Sequence, residues 1–155
     1  ETQRFSILNI NDVAEACIGV STPVTQKAGI TVKRELAQNI PICEGDFVLL
    51  RQAVLNLINN ACQAMETKEG TRELHLRTWR EPDDICIAIS DTGPGIAPEL
   101  RTKIFDTFFS TKGERGTGLG LAAVKNIMRR HNGEVSVREN DWGGVEFVLR
   151  FPIRR

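Results

Sequence analysis

The chain has 155 residues, with 20 Lys and Arg against 20 Asp and Glu, a length that suits one domain burying its own core. A net charge of zero excludes a broadly basic nucleic-acid or membrane surface, so any anion site must be local. Cysteines 17, 43, 62 and 86 form no C-x-x-C pair and have no nearby histidine, which excludes a zinc or disulfide framework and reads as reduced structural thiols of a cytoplasmic protein. Apolar runs are too short to span a bilayer and the start shows no signal-peptide pattern, although a parent chain can carry a membrane anchor elsewhere.

In chain order, F-S-I-L-N-I-N-D (5–12) predicts a short strand leading into a helix capped by Asn11 or Asp12 and ended at Gly29. I-T-V-K-R-E-L (30–36) alternates as a half-buried strand does. N-I-P-I-C-E-G-D (39–46) reads as a loop whose Asp46 caps the longest helix, Phe47 to Met65. E-L-H-L-R-T-W (73–79) and D-I-C-I-A-I-S (84–90) predict a hairpin. After a glycine-rich region, a helix from Leu119 to His131 ends at Asn132 and Gly133, and strands over 134–138 and 145–151 join across N-D-W-G-G. Strands and helices do not alternate strictly, so a doubly wound parallel sheet is excluded in favour of an α/β, or α+β, two-layer sandwich. Its sheet is mixed, mostly antiparallel, with helices on one face.

The long helix carries two stripes. Leu50, Val54, Leu57, Ile58, Ala61 and Met65 follow helical spacing and form its core face. Gln52, Asn56 and Asn60 recur every four residues, with Gln63 near the next turn. Asparagine is a weak helix former, so the stacked pair is either a solvated polar face or a pair of amide oxygens placed for a hard cation such as magnesium beside phosphate.

Six of thirteen glycines fall between residues 93 and 120. D-T-G-P-G-I-A (91–97) follows a strand, and Asp91 is either a turn-initiating residue or a carboxylate accepting from the exocyclic amine of an adenine. G-T-G-L-G-L (116–121) precedes a helix, an arrangement suited to phosphate, yet it matches neither the P-loop nor the dinucleotide fingerprint. Between them, I-F-D-T-F-F-S-T-K-G-E-R (104–115) mixes aromatic anchors with Lys112, which is either an exposed lysine or a lid charge that reaches terminal phosphates.

Taken in order, N-L-I-N-N-A (56–61), D-T-G-P-G (91–95), F-D-T-F-F-S-T-K (105–112) and G-T-G-L-G-L (116–121) closely resemble the N, G1, F and G2 boxes of sensor histidine kinases, most of all the nitrogen-regulation type. The resemblance covers the chain from about Asn9 to Pro152 and implies a Bergerat-type ATP-binding fold with an ATP lid over about 97–116. It implies that ATP and Mg2+ bind between the long helix and the lid. Asn56 and Asn60 would approach the metal and phosphates, with Asn60 and Lys112 as the catalytic groups and Gln63 as a further nucleotide contact. Asp91 would hold the adenine amine, and Gly93, Gly95 and Ile96 would shape the base pocket. Gly116, Thr117, Gly118, Leu119, Gly120 and Leu121 would close over the phosphates.

The implied function is transfer of the γ-phosphoryl group to a histidine on a helical dimerisation domain upstream of Glu1, with a response regulator downstream and no nucleic acid involved. The isolated domain would be monomeric and its parent a homodimer. Hydrolytic ATPases of the gyrase, chaperone and repair type and anti-sigma-type serine kinases share the fold. Where the hydrolytic branch carries a glutamate, this helix carries Gln52, whose amide cannot take up a proton near neutral pH. His75 and His131 lack the acceptor setting of an exposed helical histidine followed by an acidic residue, and both read as structural.

Overall fold

The computed structural model of the chain describes residues 4–106 and 120–153. Strand β1 (Ser6–Leu8) leads into helix α1 (Ile10–Lys27), followed by β2 (Thr31–Glu35), β3 (Cys43–Gly45) and helix α2 (Phe47–Ala64). Next come β4 (Glu73–Arg80), β5 (Asp84–Asp91), a 3-10 turn (Pro98–Leu100), helix α3 (Gly120–Arg130), β6 (Glu134–Glu139) and β7 (Val145–Pro152). Five strands form the main sheet in the order β2-β4-β5-β7-β6, and β1 and β3 pair separately. Only β2 and β4 run parallel, because α2 lies between them in the chain; the other pairs of the main sheet are antiparallel.

The sheet alternates as half-buried strands must. Leu74 and Leu76 of β4, Ile85, Ile87 and Ile89 of β5, and Phe147, Leu149 and Phe151 of β7 belong to one core with the buried stripes of the helices. Those stripes are Val13, Ala14 and Cys17 of α1, Leu50, Val54, Leu57 and Ile58 of α2, and Val124 and Met128 of α3. The opposite sheet face holds a separate small cluster of Cys86, Ala88 and Val148 under Trp79. Charged ladders flank it: Glu146 takes Arg77 and Arg138, and Arg150 takes Glu81 and Glu134. The two-layer sandwich with helices on one face is therefore as expected.

Two local expectations are corrected. The α1 cap is Asn9, whose Oδ1 accepts from Asn11 N at 2.8 Å. Asn11 is occupied elsewhere, with Nδ2 on the Ala37 carbonyl at 2.7 Å and Oδ1 accepting from Thr78 Oγ1 at 2.7 Å. The segment 39–46 contains β3, which exists through its long-range register with β1, Ser6 opposite Gly45 and Leu8 opposite Cys43. Three residues are too few to show a period. Asp46 caps α2 as expected, its Oδ1 accepting from Leu49 N at 3.2 Å.

Candidate functional site

Asp91 is the last residue of β5, opposite Leu74 on the helix-covered face, and is 3% exposed. Its Oδ1 accepts from Gly93 N at 2.9 Å and from Val145 N at 3.3 Å. Among the described residues both of these bonds fall on Oδ1. Burial pushes this carboxyl above the ordinary Asp value, and the two backbone N–H groups pull it back only in part. The turn-initiating reading of Asp91 holds, since its Oδ1 bonds Gly93 N.

The surrounding glycines are set by close approach. A Cβ on Gly93 would sit 3.1 Å from Asp91 Oδ1 and 3.3 Å from Ala64, and one on Gly95, whose φ is +86°, would meet the Gly143 carbonyl at 2.7 Å. Ile96 packs half-buried against the core. Further on, Ile104 is buried and Phe105 meets Phe147 edge to face at 6.1 Å, so the first part of the expected lid is anchored to the sheet.

Along α2, Asn56 and Asn60 are half-buried at the edge of the core stripe, whereas Gln52 and Gln63 are exposed. Asn56 Nδ2 donates to the Gly120 carbonyl at 3.3 Å, which ties the asparagine stripe to the start of α3. Gly120 itself is exposed with open space where a Cβ would stand, and Leu121 packs against the core. Asp91, Gly93, Gly95, Ile96, Asn56, Asn60, Gln63, Gly120 and Leu121 thus lie where their elements are described. Lys112, Gly116, Thr117, Gly118 and Leu119 lie outside the described residues.

The β6–β7 turn contributes residues that sequence reasoning passed over as an ordinary connection. Asn140 Nδ2 donates to the Asp91 carbonyl at 2.7 Å, and a Cβ on Gly144 would fall 2.1 Å from that same oxygen. An asparagine spaced ahead of a Gly-Gly pair was the available signal.

Neither histidine is placed to accept a phosphoryl group. His131 is 5% exposed, with Nδ1 on the Ile127 carbonyl at 2.8 Å and Nε2 receiving Asp46 N–H at 3.0 Å. His75 neighbours buried Leu74 and Leu76 in β4 and so points to the opposite sheet face from Asp91, where it bonds Glu73 and lies tilted against the Trp142 ring at 4.4 Å. All four cysteines are free and buried. Among the described residues no helix is long and apolar enough to cross a membrane.

Over residues 45–155 the sequence matches the family described as histidine kinase-, DNA gyrase B-, and HSP90-like ATPase. The chain belongs to that family, and the relatives below mark it as a histidine kinase ATP-binding domain, a class that uses nucleotide. It is 33% identical over 151 residues to the signal transduction histidine-protein kinase AtoS of Escherichia coli, covering 97% of this chain and 24% of that protein. It is also 33% identical to the sensory histidine kinase/phosphatase NtrB of Rhodobacter capsulatus, covering 94% of this chain and 43% of that protein. The chain therefore spans less than half of either curated relative. Among solved structures, the catalytic domain of histidine kinase ThkA superposes with a TM-score of 0.84 at 26% identity, covering 96% of this chain and 97% of that one. Full-length ShkA in complex with AMPPNP gives 0.86 at 27% identity, covering 98% of this chain and 32% of that one.

Proposed function

We propose that this domain binds ATP with magnesium and transfers the γ-phosphoryl group to a histidine on a helical dimerisation segment of a longer parent chain, from which a response regulator is then charged. The observation that carries the reading is Asp91, a buried carboxylate with one oxygen pinned by Gly93 and Val145; the other would take the adenine amine. Gly93 is tight against it, Gly95 and Gly144 leave no room for a Cβ, and the likeness to ShkA, solved with AMPPNP, agrees.

On this reading Asp91 and the Gly93–Ile96 turn orient the base. Asn56 and Asn60 face the phosphates from α2, and the start of α3, bonded to Asn56, supplies backbone N–H groups and its dipole. Among the described residues no cluster of His, Cys, Asp and Glu could hold a metal, so magnesium would rest on the two amide oxygens and phosphate, where it offsets charge on the transferring group. Lys112 would add a lid cation. The acceptor imidazole forms an N–P bond as the β–γ bridging bond breaks and ADP leaves. Gln52, exposed one turn before Asn56, provides no base for water, which favours transfer over hydrolysis.

The test is incubation with labelled ATP and magnesium, with and without the upstream helical segment of the parent. Acid-labile, base-stable label on that segment is expected. Acid-stable label, or rapid phosphate release without any acceptor, would refute the reading.

A further inference from the structure

We infer that Asn140 is a positioning residue for base recognition, holding Asp91 in the orientation that selects adenine. The inference rests on the assignment of Asp91 as the adenine contact.

Asn140 closes the β6–β7 turn with all of its side-chain capacity. Nδ2 donates to the Asp91 carbonyl at 2.7 Å and to the Val145 carbonyl at 3.3 Å, while Oδ1 accepts from Trp142 N at 3.0 Å and Gly144 N at 2.9 Å. Two carbonyls face one end of the amide and two N–H groups face the other, so its orientation is fixed by its partners. The same two residues meet a second time, because Val145 N donates to Asp91 Oδ1 at 3.3 Å. Asn140 therefore grips the main chain of Asp91 and the residue that pins the Asp91 side chain.

Sterics press the same contact from the turn side. Gly144 lies so close that a Cβ would fall 2.1 Å from the Asp91 carbonyl oxygen, and the Gly143 carbonyl sits where a Cβ on Gly95 would stand, at 2.7 Å. The turn thus touches the base-binding segment on both sides of Gly93. Only a carboxamide on a short stem supplies two donors and a double acceptor at this point; aspartate has the shape but no donors, and glutamine is one carbon too long. With aspartate at 140, carboxylate oxygens would face the Asp91 and Val145 carbonyls, and the anchoring of Oδ1 by Val145 would loosen.

The test compares the calorimetric Kd for ATP with that for purine riboside triphosphate, which lacks the exocyclic amine, in wild type, Asn140→Asp and Asp91→Asn. Wild type is expected to prefer ATP by tenfold or more. Asn140→Asp should lose most of that preference, mainly by weakening ATP, and in the double variant the two losses should not add, because both act through one contact. A merely structural role would weaken both nucleotides equally and leave their ratio unchanged; that result would overturn the inference. If wild type shows no preference, or Asp91→Asn keeps it, the Asp91 assignment itself fails. If Asn140→Asp does not fold, Asn140→Ser, which keeps one donor and one acceptor, takes its place. An intermediate ratio is then expected, and an unchanged one counts against the inference.

Discussion

The imidazole of His131 accepts the backbone N–H of Asp46 at 3.0 Å and so fastens the residue after α3 to the N-cap of α2. A carbonyl can only accept, so Nδ1, which faces the Ile127 carbonyl at 2.8 Å, carries the proton, and Nε2 must be bare. The ring is neutral by construction. These are the two helices that carry Asn56, Asn60, Gly120 and Leu121, so a histidine remote from any chemistry sets the spacing of the site.

This arrangement predicts a pH dependence. Burial lowers the His131 pKa from its ordinary 6.5, with Asp46 and Arg130 acting on it in opposite directions. The unfolded chain takes up a proton near pH 6.5 while the folded protein resists it. The stabilisation from His131 is therefore complete above that value and is lost as pH falls through the lower folded value. Thermal denaturation between pH 8 and pH 5 should show a fall in Tm that His131→Gln flattens. Equal slopes in both proteins would show that His131 does not titrate as described.

Asp91 has the opposite sign. Its pKa is raised by burial, so its contribution to stability is full below the ordinary carboxylate value and lost as pH rises through the folded one. At neutral pH the ionised form costs the free domain stability. Asp91→Asn, which keeps an acceptor for Gly93 and Val145, should match or exceed the wild-type Tm at pH 7.5 while binding ATP about ten- to a hundredfold more weakly, the effect of one charge-assisted hydrogen bond. A lower Tm with unchanged affinity would contradict the account.

Glycines separate by what surrounds them. Gly144→Ala places a methyl 2.1 Å from the Asp91 carbonyl oxygen, and a displacement of β7 from β5 or loss of nucleotide binding should follow. Gly19→Ala, in the middle of α1 with nothing within 4 Å of the new methyl, should instead stabilise by about 0.5–1 kcal/mol. Denaturant unfolding of the two variants measures their stabilities, and ATP titration of Gly144→Ala measures the loss of binding.

The thiols of Cys17, Cys43 and Cys86 are pushed up to about 11 by burial, and Cys62 is raised by the same cause with Asp91 adding to it. Since the thiolate is the reactive form, a thiol reagent at pH 8 should find almost none of the four cysteines in the native protein and all of them after unfolding. Rapid modification of one in the native state would contradict their burial.

Much of this was legible in the chain because it is local. Asp46 announces the start of α2, the alternation in 73–79 and 84–90 gives a hairpin, and the four boxes, met in order, mark the family. What was missed depends on distant partners. β3 exists because residues 43–45 meet residues 6–8. Asn9 caps α1 because the helix begins at Ile10, and Asn11, inside it, is engaged by Ala37 and Thr78. Asn140 looks like any turn asparagine until the fold carries it to Asp91, 49 positions away. The parallel pairing of β2 with β4 is likewise a property of chain crossing and leaves no mark on either strand.

The most direct measurement is an amide NMR titration of the domain with ATP and magnesium. The account predicts shifts concentrated at Asp91–Ile96, along Asn56–Gln63, at Gly120–Leu121 and in the turn from Asn140 to Gly144, with little change at Trp79 and Cys86 on the opposite sheet face. Saturable binding that moves Trp79 and Cys86 and leaves Asp91 and Asn60 unmoved would contradict it.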